Sequence, residues 1–169
     1  MPGMPIPPDD SSRQLTLARP DDPGLRHIAM VGDTYTTLLS GEDTAGRFAL
    51  IDMLVPPGGG PPPHRHDFEE TFHILEGEIE VTFRGETSIV RTGETANVPA
   101  NALHAFRNAT DDTVRLLCTV SPAGLEEFFA AVGDAVVGRT SAAPELDDDA
   151  RAARMQKGAQ LAAKYRVEL

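Results

Sequence analysis

The chain has 169 residues, 40% hydrophobic and 24% charged, enough for one globular domain, or one domain with tails, around a single core. Its formal net charge of −11 at pH 7 argues against nucleic acid and anionic membranes as partners, because both are held through basic patches. No apolar run approaches a membrane span, and the single cysteine, Cys118, excludes an internal disulfide; a cytoplasmic location is the default expectation.

Residues 1–24 read as a flexible Pro-rich lead. The start, Met1-Pro2-Gly3-Met4-Pro5-Ile6-Pro7-Pro8, has neither the basic region nor the apolar core of a signal peptide. Short strand-like stretches follow over residues 25–120. They are Thr34–Leu39, Arg47–Val55, Glu70–Leu75, Ile79–Arg84, Thr87–Arg91, Ala96–Val98, His104–Arg107 and Val114–Val120. Glu70–Leu75 and Ile79–Arg84 flank Gly77 and read as a hairpin. Regular short strands, turn signals and no alternating helices predict an all-β sandwich or barrel. Cys118 lies in the apolar run 114–120, where a buried inert thiol is expected rather than a nucleophile.

The pattern changes in residues 121–169, which read as a C-terminal helical extension. Ser121 and Pro122 look like a helix N-cap and first turn. Leu125, Phe128, Phe129 and Val132 then recur with helical spacing up to Gly133. Residues 134–144 read as a linker. A second helix follows Glu145, acidic first and basic later, in keeping with a helix dipole. Its thin apolar stripe is Met155, Ala159, Ala162 and Tyr165, expected to lie on the barrel.

The chemistry-bearing residues are His64, His66, Glu70 and His104. His64, His66 and Glu70 are separated by even steps, so one strand could present all three on one face. A second strand carrying His104 would complete three imidazoles and one carboxylate. That set suits a first-row transition metal better than calcium or magnesium, which prefer oxygen shells. His73 stands an odd step from Glu70 and should point away. For His73 and His27 a structural or surface role is expected.

These segments resemble the paired motifs of the cupin superfamily, G(X)5HXH(X)3–4E(X)6G and G(X)5PXG(X)2H(X)3N. Gly58, His64, His66, Glu70 and Gly77 match the first; Gly93, Pro99, His104 and Asn108 match the second. Asn101 stands where the family usually has Gly, a mild departure because Asn tolerates the left-handed conformation. The resemblance implies a double-stranded β-helix, or jelly-roll, barrel with C-terminal helices and one divalent transition metal inside: Fe, Ni, Mn, Co, Cu or Zn. It also implies a homodimer.

Within the cupins the chain is most similar to the small quercetin 2,3-dioxygenase-like group. The similarity rests on Phe72-His73-Ile74-Leu75-Glu76-Gly77-Glu78, on His104-Ala105-Phe106-Arg107-Asn108, and on Ser121-Pro122-Ala123-Gly124-Leu125-Glu126-Glu127-Phe128-Phe129. It implies a metal-dependent dioxygenase of an enolisable aromatic or diketone small molecule, with Glu70 both a metal ligand and the base. Three residues separate His66 from Glu70, where flavonol-cleaving cupins tend to have four, so the substrate stays open. A metal-dependent cyclase, isomerase or lyase of polyketide or sugar type is the alternative, as is a non-catalytic small-molecule-binding protein. Phe48, Phe72, Phe83 and Phe106 are the candidate pocket lining, with core packing the equal alternative.

Overall fold

The computed structural model describes residues 5–169, so the first four residues of the Pro-rich lead lie outside it. Residues 5–25 form no strand or helix. They are tied down by Arg13 donating to the Asp43 carbonyl and by an Arg139–Asp21 ion pair. Along the rest of the chain come β1 (Arg26–Met30), β2 (Asp33–Leu39), β3 (Ala49–Val55), β4 (Arg65–His66), β5 (Glu69–Glu76) and β6 (Glu78–Phe83). Next are β7 (Glu86–Arg91), β8 (Thr95–Val98), β9 (His104–Arg107), β10 (Val114–Ser121), α1 (Leu125–Val132) and β11 (Asp134–Val136). The chain closes with α2 (Asp148–Ala162), a 3-10 turn (Ala163–Tyr165) and β12 (Val167–Glu168).

The strands form an antiparallel seven-stranded sheet in the order β11-β1-β2-β3-β10-β5-β8, a three-stranded sheet β7-β6-β9, and the pair β12-β4. The architecture is all-β with two C-terminal helices, as the sequence predicts. Period-two alternation decides which face is buried. In β5, Glu70, Phe72 and Ile74 turn inward while Thr71 and His73 turn out. In β10, Val114, Leu116, Cys118 and Val120 are all buried. Cys118 sits opposite Ile51 of β3 and Phe72 of β5, so three strands add to one inner layer.

Several expectations are corrected. Gly77 does not turn a hairpin: β5 pairs with β10 and β8, whereas β6 pairs with β7 and β9. Gly77 is the corner at which the chain leaves one sheet for the other, with φ 85°. A Cβ there would come 2.9 Å from Val114 Cγ2, so the corner needs glycine on both counts. The true hairpin is β6–β7. Ser121 does not cap a helix; it ends β10, its hydroxyl donating to the Arg47 carbonyl, and α1 starts only after Gly124.

The C-terminal extension is not purely helical either. β11 adds to the edge of the large sheet beside β1, and β12 pairs with β4. α2 does start with acidic residues and an Asp147 cap, which accepts from Ala150 N–H. Its buried face is Gly158 and Ala162, not the Met155–Ala159 side, and Met155 is 75% exposed. His27 takes the structural role of the two expected for it: it is buried, bonded to the Thr36 hydroxyl and the Asp22 carbonyl.

α1 carries the stripe expected of it. Leu125, Phe128 and Val132 are buried, and Phe129 packs partly buried against the same core. Phe128 is 2% exposed, so Phe128→Ala should lower stability by about 3–5 kcal/mol. An unchanged denaturation midpoint would show that the helix contributes little to the barrel.

Candidate metal centre

His64, His66, Glu70 and His104 come together. One ligand atom from each lies within 4.8 Å of every other. They do not share a strand. His64 precedes β4 and forms an isolated antiparallel bridge with His104, each donating its N–H to the other's carbonyl at 2.9 and 3.0 Å. β4 ends at His66, the chain bends through Asp67 and Phe68, and Glu70 enters on β5. The cluster therefore draws its members from all three sheets.

Local backbone chemistry puts each piece in place. A Cβ on Gly60 would fall 2.1 Å from the Phe106 carbonyl oxygen, so glycine alone lets the loop before His64 lie against β9. Asn101, at the turn before His104, has φ 67°, the left-handed conformation expected of it, and donates its backbone N–H to His66 O. Asn108, fully buried, ties β3 to the following loop by donating to the Val55 and Asp112 carbonyls. The C-terminal strand β12 clamps β4 from the other side, with ion pairs Arg65–Glu168 and Arg166–Asp67.

The imidazoles are held in one tautomer. Nδ1 of His64, His66 and His104 faces the carbonyls of Pro62, Phe68 and Ala102 at 2.9, 3.1 and 2.9 Å. A carbonyl only accepts, so each Nδ1 carries a proton; Nε2 would meet a metal, and it donates to Glu70 only when the ring is an imidazolium. Phe68 stacks flat on the His66 ring at 3.9 Å and fixes its plane. Nε2 of His66 and of His104 each lie 3.0 Å from Glu70 Oε2, and the Cys118 thiol donates to Oε1 at 3.3 Å. Cys118 is thus buried, as expected, but it is not merely packing.

The electrostatics follow from this packing. Burial pushes the Glu70 carboxyl up, but hydrogen bonds from His104 and His66 outweigh it and hold the group well below the usual carboxylate range. Burial, then the nearby His104 charge, pull His64 down to about 4. Burial also works against a charged His104, but its bonds to Glu70 and the Ala102 carbonyl win and raise it. Burial pushes the Cys118 thiol up, so it stays protonated and can donate.

A metal has to displace the proton that His104 shares with Glu70. That proton is fully held below pH 6.5, the ordinary histidine value, and is lost as pH rises through the raised value of His104. Metal affinity should therefore climb with pH up to the raised value of His104 and level off above it, with a second proton, on His64, to displace only below about pH 4. Chelator competition across that range checks this. A flat affinity through neutrality would contradict it.

His73 points outward, its Nδ1 2.8 Å from the Thr95 hydroxyl. His73→Phe should leave metal content per chain unchanged; loss of the metal would place His73 in the site. The pocket lining differs from expectation. A cavity of about 750 Å³ reaches His64 and Glu70, and only Phe106 of the four phenylalanines lines it. Phe72 is core behind it, edge-on to Phe106 at 5.1 Å; Phe83 lies under the Arg84 guanidinium; Phe48 precedes β3. The walls are instead Tyr35, Met53, Leu125, Phe128, Phe129 and Val132, with Arg151, Arg154, Met155 and Ala159 of α2 along the rim. Tyr35 and Met53 are direct cross-strand partners, a register that a single strand's periodicity does not reveal. Tyr35 also donates to Asp33, whose carboxyl burial pushes up to about 7.

A model of the cupin domain matches residues 51–120, the stretch that holds all four residues of the cluster. Over those residues the chain is similar to the cupin domain. Its relatives include quercetin 2,3-dioxygenase of Bacillus subtilis, 28% identical over 111 residues, 64% of this chain and 33% of that protein. Polyketide synthase CurC of Streptomyces cyaneus is 30% identical over 110 residues, 64% of this chain and 66% of that protein. The chain thus spans a third of the first relative's length and just under two thirds of the second's. Among solved structures, the polyketide cyclase RemF from Streptomyces resistomycificus superposes with a TM-score of 0.52 at 23% identity. That superposition covers 82% of this chain and 93% of RemF, and it shows the shared fold. In this barrel the His/Glu cluster is suited to a metal ion: three neutral-capable imidazoles and one carboxylate, with ligand atoms within 4.8 Å of one another.

Proposed function

We propose that this protein is a metal-dependent enzyme acting on an enolisable aromatic or diketone small molecule, with dioxygenation as its reaction. The observation that carries this reading is that a largely apolar cavity is lined by His64 and Glu70, two members of the His64–His66–Glu70–His104 cluster. A divalent transition metal held there would act as a Lewis acid toward a substrate oxygen. The protein's own part is to bind, orient and move a proton. Tyr35, Phe106, Phe128 and Phe129 offer flat apolar walls to a ring system and exclude water from it. Glu70 is the one carboxylate at the reacting end, placed to take the proton of an enolisable hydroxyl or carbon acid. The cavity volume, about 750 Å³, falls within the range for small-molecule sites.

The similarity to the Bacillus quercetin 2,3-dioxygenase supports dioxygenation. The second reading, a polyketide-type cyclase, is favoured by the match to CurC and by the extent of the RemF superposition. Both need the same apolar cavity and the same carboxylate. They differ in one reactant, so the deciding experiment is turnover of enolisable aromatics and diketones with and without dioxygen. Dioxygen consumption stoichiometric with product supports dioxygenation. Equal product in its absence would reject it and leave cyclisation. Tight ligand binding with no turnover would mean a binding protein. The protein is proposed to work as a homodimer, checked by its mass in solution.

A further inference from the structure

We propose that Cys118 is a positioning residue for Glu70, its thiol engaging one carboxylate oxygen so that the other alone faces the imidazoles. The proposal rests on the metal-centre reading above and adds a residue to it. Glu70 Oε2 lies 3.0 Å from Nε2 of both His66 and His104, while Oε1 accepts from Cys118 Sγ at 3.3 Å. Among the described residues no other hydrogen bond reaches Oε1. Cys118 and Glu70 are fully or nearly fully buried, at 0% and 3% exposure, so little solvent is at hand to replace this contact.

The fold explains why a cysteine reaches this atom. Val120 of β10 stands directly opposite Glu70 on β5. Cys118 is therefore the diagonal neighbour on the same inward face, a separation that a long glutamate side chain spans. Valine or alanine there would pack the core as well, but would leave Oε1 a buried acceptor without a partner. The carboxylate would then be free to rotate and present both oxygens to the centre. The thiol holds it to one, which keeps room beside the imidazoles for a substrate oxygen. Cys118 lies outside the ligand cluster itself, so its role is through Glu70.

The chain has one cysteine, so its S–H stretching band in the infrared reports this contact alone. The band should lie at the lowered frequency of a hydrogen-bonded thiol in the metal-free protein and move up in Glu70→Ala. Ala and Ser are both smaller than Cys, so neither overpacks the core, and they differ only by a hydroxyl donor. Cys118→Ala should weaken metal affinity about 10-fold, the lower end of the loss seen when a ligand's hydrogen-bond partner is removed. Cys118→Ser should recover most of that loss. A band unchanged by Glu70→Ala, or Ala and Ser variants of equal affinity, would overturn the proposal. An unmodified protein that binds no metal yet shows the band shift would overturn the metal reading while supporting the contact.

Discussion

Glu70→Gln is expected to cut turnover by about 10²–10⁴-fold while the protein retains most of its metal. The substitution keeps an oxygen at the same distance from the imidazoles, so a ligand atom remains. It removes the only carboxylate in the cluster, so no group of comparable basicity is left at the reacting end of the cavity. Hydrogen bonds hold Glu70 ionised despite its burial, so it can accept a proton at neutral pH, though as a weaker base than an ordinary carboxylate. The measurement is turnover per bound metal, with metal content determined on the same sample. Full activity in the metal-loaded variant would take Glu70 out of the chemistry.

The second large effect is expected from His104→Ala and His66→Ala. Each removes an Nε2 that lies 3.0 Å from Glu70 Oε2, and with it a direct ligand candidate. Metal affinity should fall by more than about 100-fold, because loss of a supporting residue alone costs about 10–100-fold. Turnover should fall in parallel. His104→Ala should also disturb its bridge to His64 less than its side-chain contacts, since that bridge is made by backbone atoms. Variants that keep their metal but lose activity would mean that these histidines serve the substrate instead.

Eight strands were legible, most clearly β5 and β10, which present buried and outward residues in strict turn, whereas β1 was not read as a strand. What was not legible depends on partners distant in sequence. β4 and β12 are two residues each and exist only because they pair with one another. β11 is three residues read as linker until β1 is beside it. Gly77 sits between two apolar runs just as a hairpin glycine would, and only the sheet order shows it to be a corner.

The cluster residues were legible from spacing, but not for the reason of one shared strand: the bend at Asp67 and Phe68 separates His66 from Glu70, and parity survives by coincidence of that bend. Phe72 and Phe106 look alike in sequence, both inward on strands, yet one faces the cavity and the other lies behind it. Met155 and Ala159 form an apolar stripe, but they border the cavity opening, while the closely packed face of α2 is the small pair Gly158 and Ala162. Cys118 reads as plain core in its apolar run. Nothing in one strand signals that its diagonal neighbour is a glutamate.

His64, His66, Glu70 and His104 are proposed to hold one metal together. X-ray absorption at the edge of the metal that copurifies tests it most directly, run on the parent and on His104→Ala. One metal per chain is expected, bound by three imidazole nitrogens and a carboxylate oxygen at about 2.0–2.3 Å, with the signal gone in His104→Ala. A protein that takes up no metal, or one whose metal environment is unchanged by His104→Ala, would contradict it.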